Sequence, residues 1–161
     1  MSPENKAAAQ AAERGVHAVT PHLVCAGAAQ AIDFYKRAFG ATEMIRIPGS
    51  EGKLMHACVS INGSSVMLVD EFPGMGNLSP KSLKGTSVSI HLIVDDVDAV
   101  VKRAVDAGAR VVMPVEDQFW GDRFGVIEDP FGHQWSVSTP KRQMTEAQIV
   151  DAARTATASS K

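Results

Sequence analysis

At 161 residues the chain is long enough for one well-buried domain or for two small fused modules, and too short to add a large second domain. Lys and Arg number 16 against 18 Asp and Glu, a formal net charge of −2, with no basic block and 6% aromatic residues, which argues against nucleic acid as a partner. No apolar run approaches the ~20 residues that span a bilayer, and the N-terminal MSPENKAAAQAAERG lacks the apolar centre of a signal peptide, so the chain reads as cytoplasmic with no membrane partner.

Residues 1–16 are rich in Ala, Gln and charge without a wide apolar stripe, and read as a flexible arm, either a frayed helix or disordered chain. A β-rich run over His17–Cys25 predicts the first strand, with Pro21 placed at an edge or bulge. Ala28, Ala31, Ile32, Tyr35, Ala38 and Phe39 then recur at helical spacing and Gly40 supplies the stop. Thr42–Ile47 reads as a short strand and residues 48–52 as a polar loop. Met55–Ile61 and Ser65–Val69 flank Asn62-Gly63, a two-residue hairpin turn that pairs 60 with 65 and 58 with 67. Asp70 and Glu71 are expected to end that strand at solvent, with Glu71 a candidate general base or ligand.

Residues 73–85, with two prolines and three glycines, read as a linker long enough to act as a lid. After it the order restarts. Ser87–Val94 predicts a strand; Val97, Val100, Val101, Ala104 and Val105 form a helical stripe behind Asp95 and Asp96, ended by Gly108. Arg110–Val115 is the next strand, and two apolar runs around Asp129-Pro130-Phe131-Gly132 make a second hairpin. His91 follows His22 by 69 residues and Gly132 follows Gly63 by the same interval, while the Lys-Arg-Ala triplets of the two helices lie 66 apart, which a length change before the helix would explain. The chain is therefore an α+β duplication, modules 17–72 and 86–140 within a domain 17–140. In the tail, 141–161, Thr145 and Gln148 fit a helix capping box. Cys25 and Cys58 lack CxxC or CxH spacing and read as small buried hydrophobes.

A duplicated β-α-β-β-β order with IDFYKRAFG, VDDVDA and GDRFGVIEDPFGHQWSVSTP resembles the vicinal-oxygen-chelate superfamily of glyoxalase, bleomycin-resistance and extradiol-dioxygenase proteins. MLVDEFP and DPFGHQWSVST point within it to the PhnB-like branch. The resemblance implies two β-α-β-β-β modules forming an incomplete, mostly antiparallel barrel around a central cleft, in a homodimer. It also places the family's metal-ligand positions at Thr20, Met67, Ser89 and Ser136, a set without imidazole, thiolate or carboxylate, so no metal and no other cofactor is expected. If those positions face the cleft, strand alternation brings His22, Val69, Glu71, His91 and Ser138 with them, and cross-strand pairing adds His56 and Cys58. The same hairpin register in the second module puts Arg123, Gly125 and Ile127 in the cleft and turns Trp135 toward the helices, unless a bulge at Asp129-Pro130 shifts it.

His22, His56, His91, Met67, Trp120 and Arg123 are accordingly the expected ligand-binding residues. Imidazoles would supply hydrogen bonds, Met67 an adaptable apolar floor, Trp120 a stacking wall and Arg123 an anion anchor. Two functions fit. One is a metal-independent protein that binds a small organic ligand in the concave cleft. The other is a lyase, isomerase or transferase that uses His22, His56 or His91 as acid or base, or a displaced divalent metal on His22, His91 and Glu71.

Overall fold

The computed structural model describes residues 5–159. The chain divides between Thr86 and Ser87 into two compact units, and each is built in the same order. The first holds α1 (Lys6–Ala12), β1 (His22–Cys25), α2 (Ala28–Phe39), β2 (Thr42–Pro48), β3 (Leu54–Ile61), β4 (Ser64–Asp70) and a one-turn α3 (Pro80–Leu83). The second holds β5 (Ser89–Ile93), α4 (Val97–Asp106), β6 (Arg110–Asp117), β7 (Asp122–Glu128), β8 (Gln134–Pro140) and α5 (Glu146–Ala158). Each module has a four-stranded mixed sheet, ordered β1-β4-β3-β2 and β5-β8-β7-β6, which does not close on itself. The first and last strands of each module pair in parallel and the remaining neighbours antiparallel. This is the expected α+β architecture. Among the described residues no helix is long and apolar enough to cross a membrane.

One face of each sheet carries the module's helix. Ala28, Ala31, Ile32, Tyr35, Ala38 and Phe39 of α2 are all buried, as their spacing predicts, together with Phe34. Gly40 ends α2 at φ +67°, its N–H donating to Lys36 O and the next, Ala41 N, to Tyr35 O, which satisfies the last carbonyls of the helix. On the sheet, Leu23, Cys25, Ala57, Val59, Val66 and Leu68 are buried on this helix side. In the second module Val97, Val100, Val101 and Ala104 of α4 are buried, along with Leu92, Ile127, Trp135 and Val137 of the strands. Val105, the last member of the predicted stripe, stays exposed because the helix ends one residue later.

A helix that starts against a buried sheet must satisfy its first N–H groups locally. In the first module Asp70 does this. Its Oδ1 accepts from Gly27 N and Ala28 N at 3.0 Å each, and its Oδ2 accepts from Leu54 N at 2.7 Å. The expectation that Asp70 ends its strand at solvent is corrected: the carboxylate is buried because it joins a helix start to a strand start. Thr139, 69 residues later, takes the equivalent place and accepts from Val97 N at 2.8 Å. The two helices thus begin at Ala28 and Val97, also 69 apart, and α2 is 12 residues long against 10 for α4. The length change lies in the helices, not before them.

Other boundaries moved for identifiable reasons. The first strand starts at His22 rather than His17. Pro21 has no N–H to give, and the preceding residues turn aside to Ser65: His17 N donates to Ser65 Oγ at 3.0 Å, and the Thr20 and Ser65 hydroxyls lie 2.7 Å apart. Of the two readings of the N-terminal arm, residues 6–12 take the helical one, capped by Asn5 Oδ1, while residues 1–4 lie outside the described residues. The segment read as a linker or lid is tied down. Phe72 bridges Asn77, and Glu71 accepts from the backbone N of Ser79, the buried N-cap of α3, at 2.8 Å. In the tail the capping box is present in both directions, Gln148 N to Thr145 Oγ1 at 3.2 Å and Thr145 N to Gln148 Oε1 at 2.9 Å.

Candidate functional site

Each sheet has a second face, turned away from its helix, and the candidate residues divide between these two faces. On the first sheet His22, Met67 and Cys58 form a row, because they are Cα partners across β1, β4 and β3. His56, two residues before Cys58, shares the face. The His22 and His56 rings meet edge-on with centroids 5.5 Å apart. Burial, and then the neighbouring His56 charge, hold His22 below its ordinary value, so a neutral ring able to donate and accept is favoured there. Burial likewise pushes the Cys58 thiol up.

On the second sheet His91 pairs with Ser136 in the parallel β5–β8 ladder. Its Nδ1 lies 2.8 Å from Ser136 Oγ and its Nε2 3.2 Å from Ser138 Oγ, so both ring nitrogens are engaged by hydroxyls of one strand. The ring stacks on Phe124 at 6.1 Å between centroids, Trp120 stands edge-on to Phe124 at 5.4 Å, and Phe119 edge-on to Trp120 at 5.0 Å. Trp120 is carried by the turn that joins β6 to β7. Gly121 closes this turn at φ +102°, where a Cβ would come within 2.6 Å of Arg142 O. Its own carbonyl accepts from the N–H groups of Lys141 and Arg142, which fixes the turn to the end of β8.

Phe124 was not among the expected residues, and the reason is a register shift of one. In the first hairpin the two-residue turn pairs Cys58 with Met67 and Ser60 with Ser65, as expected. In the second, Asp129 N donates to His133 O and a three-residue turn intervenes, while Asp129 Oδ1 accepts from Phe131 N and His133 N. Ile127 consequently pairs with Trp135, Gly125 with Val137 and Arg123 with Thr139. A shift of one residue turns every side chain of β7 over. Ile127, Gly125 and Arg123 go to the helix side with Trp135, and Phe124 and Val126 take the other face. Trp135 is 1% exposed and its indole N–H donates to Asp129 Oδ2 at 2.9 Å, which confirms its helix-side orientation. The sequence held the signal: Asp-Pro-Phe-Gly is a type I turn followed by a left-handed glycine, the usual three-residue hairpin loop.

The placement of Arg123 is therefore a correction. Its guanidinium is paired with Asp98 on α4, with Nε at 2.6 Å and Nη2 at 2.9 Å, and with Asp117 at 3.2 Å. Those carboxylates raise its basicity further. Glu71 stands just past the end of β4 and is half-exposed, as expected of a strand end. Hydrogen bonds from Ser82 and Ser79 hold its carboxyl below the usual range, which makes it an anchor for α3 and removes it from any displaced metal set. Of the six expected residues, the structure groups His22, His56 and Met67 on one face of the first module, and His91 and Trp120 on the corresponding face of the second.

The family's metal positions do not fit a divalent ion. The Thr20 hydroxyl is bound to His17 O and Ser65, the Ser136 hydroxyl is bound to His91, and Met67 and Ser89 offer a thioether and a neutral hydroxyl. No group of three His, Cys, Asp or Glu side chains among the described residues is placed to hold a metal.

A duplicated β-α-β-β-β fold whose helix-free faces carry imidazoles, hydroxyls and aromatic rings defines a two-module α+β protein of the vicinal-oxygen-chelate kind. The chain belongs to the glyoxalase/bleomycin resistance protein/dioxygenase superfamily, which it matches over residues 14–137. It is 54% identical over 135 residues to the Mycobacterium bovis protein Mb0911c, covering 82% of this chain and 89% of that one. Among solved structures it is similar to TioX from Micromonospora sp. ML1, with a TM-score of 0.60 and 28% identity over 76% of this chain and 97% of that one. It is also similar to TnmS3, an antibiotic binding protein from Streptomyces sp. CB03234, with a TM-score of 0.55 and 28% identity over 74% and 92% of the two chains.

Proposed function

We propose that this chain is a metal-independent small-molecule binding protein of the glyoxalase/bleomycin-resistance type, within the PhnB-like branch that MLVDEFP and DPFGHQWSVST suggest. The observation that carries the reading is the array on the second sheet. His91 is held by two serine hydroxyls and flanked by Phe124 and then by the half-buried Trp120. Ordered aromatic rings offer a flat ligand a stacking surface at little entropic cost, and a fixed imidazole with neighbouring hydroxyls supplies a few polar contacts. His22, His56 and Met67 form the corresponding contact surface of the first module. The kinship with an antibiotic binding protein supports a small organic ligand, and two buried cysteines without CxxC or CxH spacing suit a reducing compartment such as the cytoplasm.

Calorimetric titration with bleomycin and with a panel of planar aromatic antibiotics tests the proposal. Saturable binding with one ligand per chain is expected for at least one compound. Trp120→Ala should weaken it tenfold or more, about 1.4 kcal/mol. Absence of saturable binding across the panel, or chemical turnover of the bound compound, would refute it. The same reading includes a homodimer, supported by exposed Met44, Ile45 and Ile47 on the edge strand β2. Sedimentation at micromolar concentration that shows only a 17.1 kDa species would remove the dimer from it.

A further inference from the structure

The helix-free face of the first sheet also gathers soft donor atoms. Strand β2 has a register break between Glu43 and Ile45, so that Met44 is the extra residue beside Cys58, the partner of Ile45. That bulge aims Met44 at the thiol, and its Sδ lies 3.7 Å from Cys58 Sγ. On the other side of β3, Met67 is the Cα partner of Cys58. Three adjacent strands thus each place a sulfur-bearing side chain at neighbouring positions on one sheet face. Cys58 is 2% exposed, Met67 half-buried and Met44 36% exposed, so the thiol is shielded while both thioethers reach the surface. The N-terminal arm helps hold Met44 there, since a Cβ on Gly15 would come within 2.9 Å of Met44 Cε.

We infer that Cys58, Met44 and Met67 form a binding site for one soft monovalent cation, copper(I) or its analogue silver(I). Thiolate and thioether donors select such ions over magnesium, calcium or manganese. Two sulfurs 3.7 Å apart, each about 2.3 Å from a shared ion, subtend an angle of about 107° at it, an ordinary spread for two ligands of a three- or four-coordinate ion. As the sulfur–metal bond forms, the Cys58 S–H bond breaks and its proton goes to solvent, with no oxidant or reductant involved. The product pairs one negative thiolate with one positive ion and is neutral, which suits a buried position. A divalent ion would leave a net charge there. The site uses residues of the first module alone and no family ligand position except the thioether at Met67.

The test uses the full chain, titrated with silver(I), and anaerobically with copper(I) against a chromophoric copper(I) chelator, with stoichiometry read by native mass spectrometry. One ion per chain is expected, and an equal concentration of zinc(II) should not displace it. Met44→Leu and Met67→Leu nearly conserve volume and should keep the fold, and each should lower affinity at least tenfold. Cys58→Ser should abolish stoichiometric binding. Cys25→Ala, which removes the other thiol on the helix side of the sheet, should leave it unchanged. No stoichiometric binding by the unaltered chain would overturn the inference. So would undiminished binding in Met44→Leu and Met67→Leu, or a loss that follows Cys25 instead of Cys58.

Discussion

In the first module the strand that carries His22 runs beside Met67 and Val69; in the second, the strand that carries His91 runs beside Ser136 and Ser138. The positions correspond at an interval of 69 residues, and the backbones pair in the same way. The environments nonetheless differ. A thioether and an isopropyl group give an imidazole no hydrogen-bond partner, so His22 turns its ring edge-on to His56 and is held neutral by burial and a like charge. Two hydroxyls engage both nitrogens of His91, whose ring is then free to stack on Phe124. One scaffold thus yields a soft, sulfur-rich face and an aromatic, hydroxyl-bearing one, because a sheet specifies which residues are neighbours and leaves their chemistry open.

The largest test of the comparison lies in the core. The second module depends on Trp135, whose indole is buried and bonded to Asp129, a carboxylate that also orders the three-residue turn. Trp135→Ala should cost about 3–5 kcal/mol in urea denaturation, through the cavity and the abandoned carboxylate. A loss below about 1 kcal/mol would mean the register-setting turn does not depend on that bond. Next come the helix starts. Asp70 accepts three backbone N–H groups and Thr139 one, so Asp70→Ala should cost about 2–4 kcal/mol and Thr139→Val about 1–2 kcal/mol. Equal losses would show that the two modules do not rely on these caps as their hydrogen bonds indicate.

The smallest effect is electrostatic and concerns the first module's histidine pair. In metal-free protein the imidazole signal of His22 should titrate with a midpoint below 6.5, and His56→Ala should raise it only part of the way, because burial is the larger cause. Since the folded value is depressed, the unfolded chain holds more protons in the interval between the folded midpoint and 6.5. The contribution of neutral His22 to stability is therefore complete above pH 6.5 and is lost as pH falls through the folded midpoint. A full return to 6.5 in His56→Ala would assign the shift to the neighbouring charge alone.

Local chemistry was enough to locate most elements. The apolar spacing of residues 28–39, the Gly40 stop, the Asn62-Gly63 turn and the Thr145–Gln148 capping box are all short-range features whose physics acts within a few residues, and the structure follows them. The two-residue turn also sufficed to place His56 and Met67 on a common face, while His22 joined them through the family resemblance. What tertiary structure alone decided is where long-range bonds override local pattern. Asp70 reads as a solvent-exposed strand end until the α2 and β3 starts converge on it. Arg123 reads as an anion anchor until β7, rotated by the turn that Asp-Pro-Phe-Gly itself signals, meets Asp98 of α4, a partner only the fold supplies. Met44 is an unremarkable strand residue until a bulge turns it onto Cys58. In each case the deciding partner lies more than ten residues away in sequence, beyond the reach of periodicity and turn propensity, and only the folded chain brings it within bonding distance.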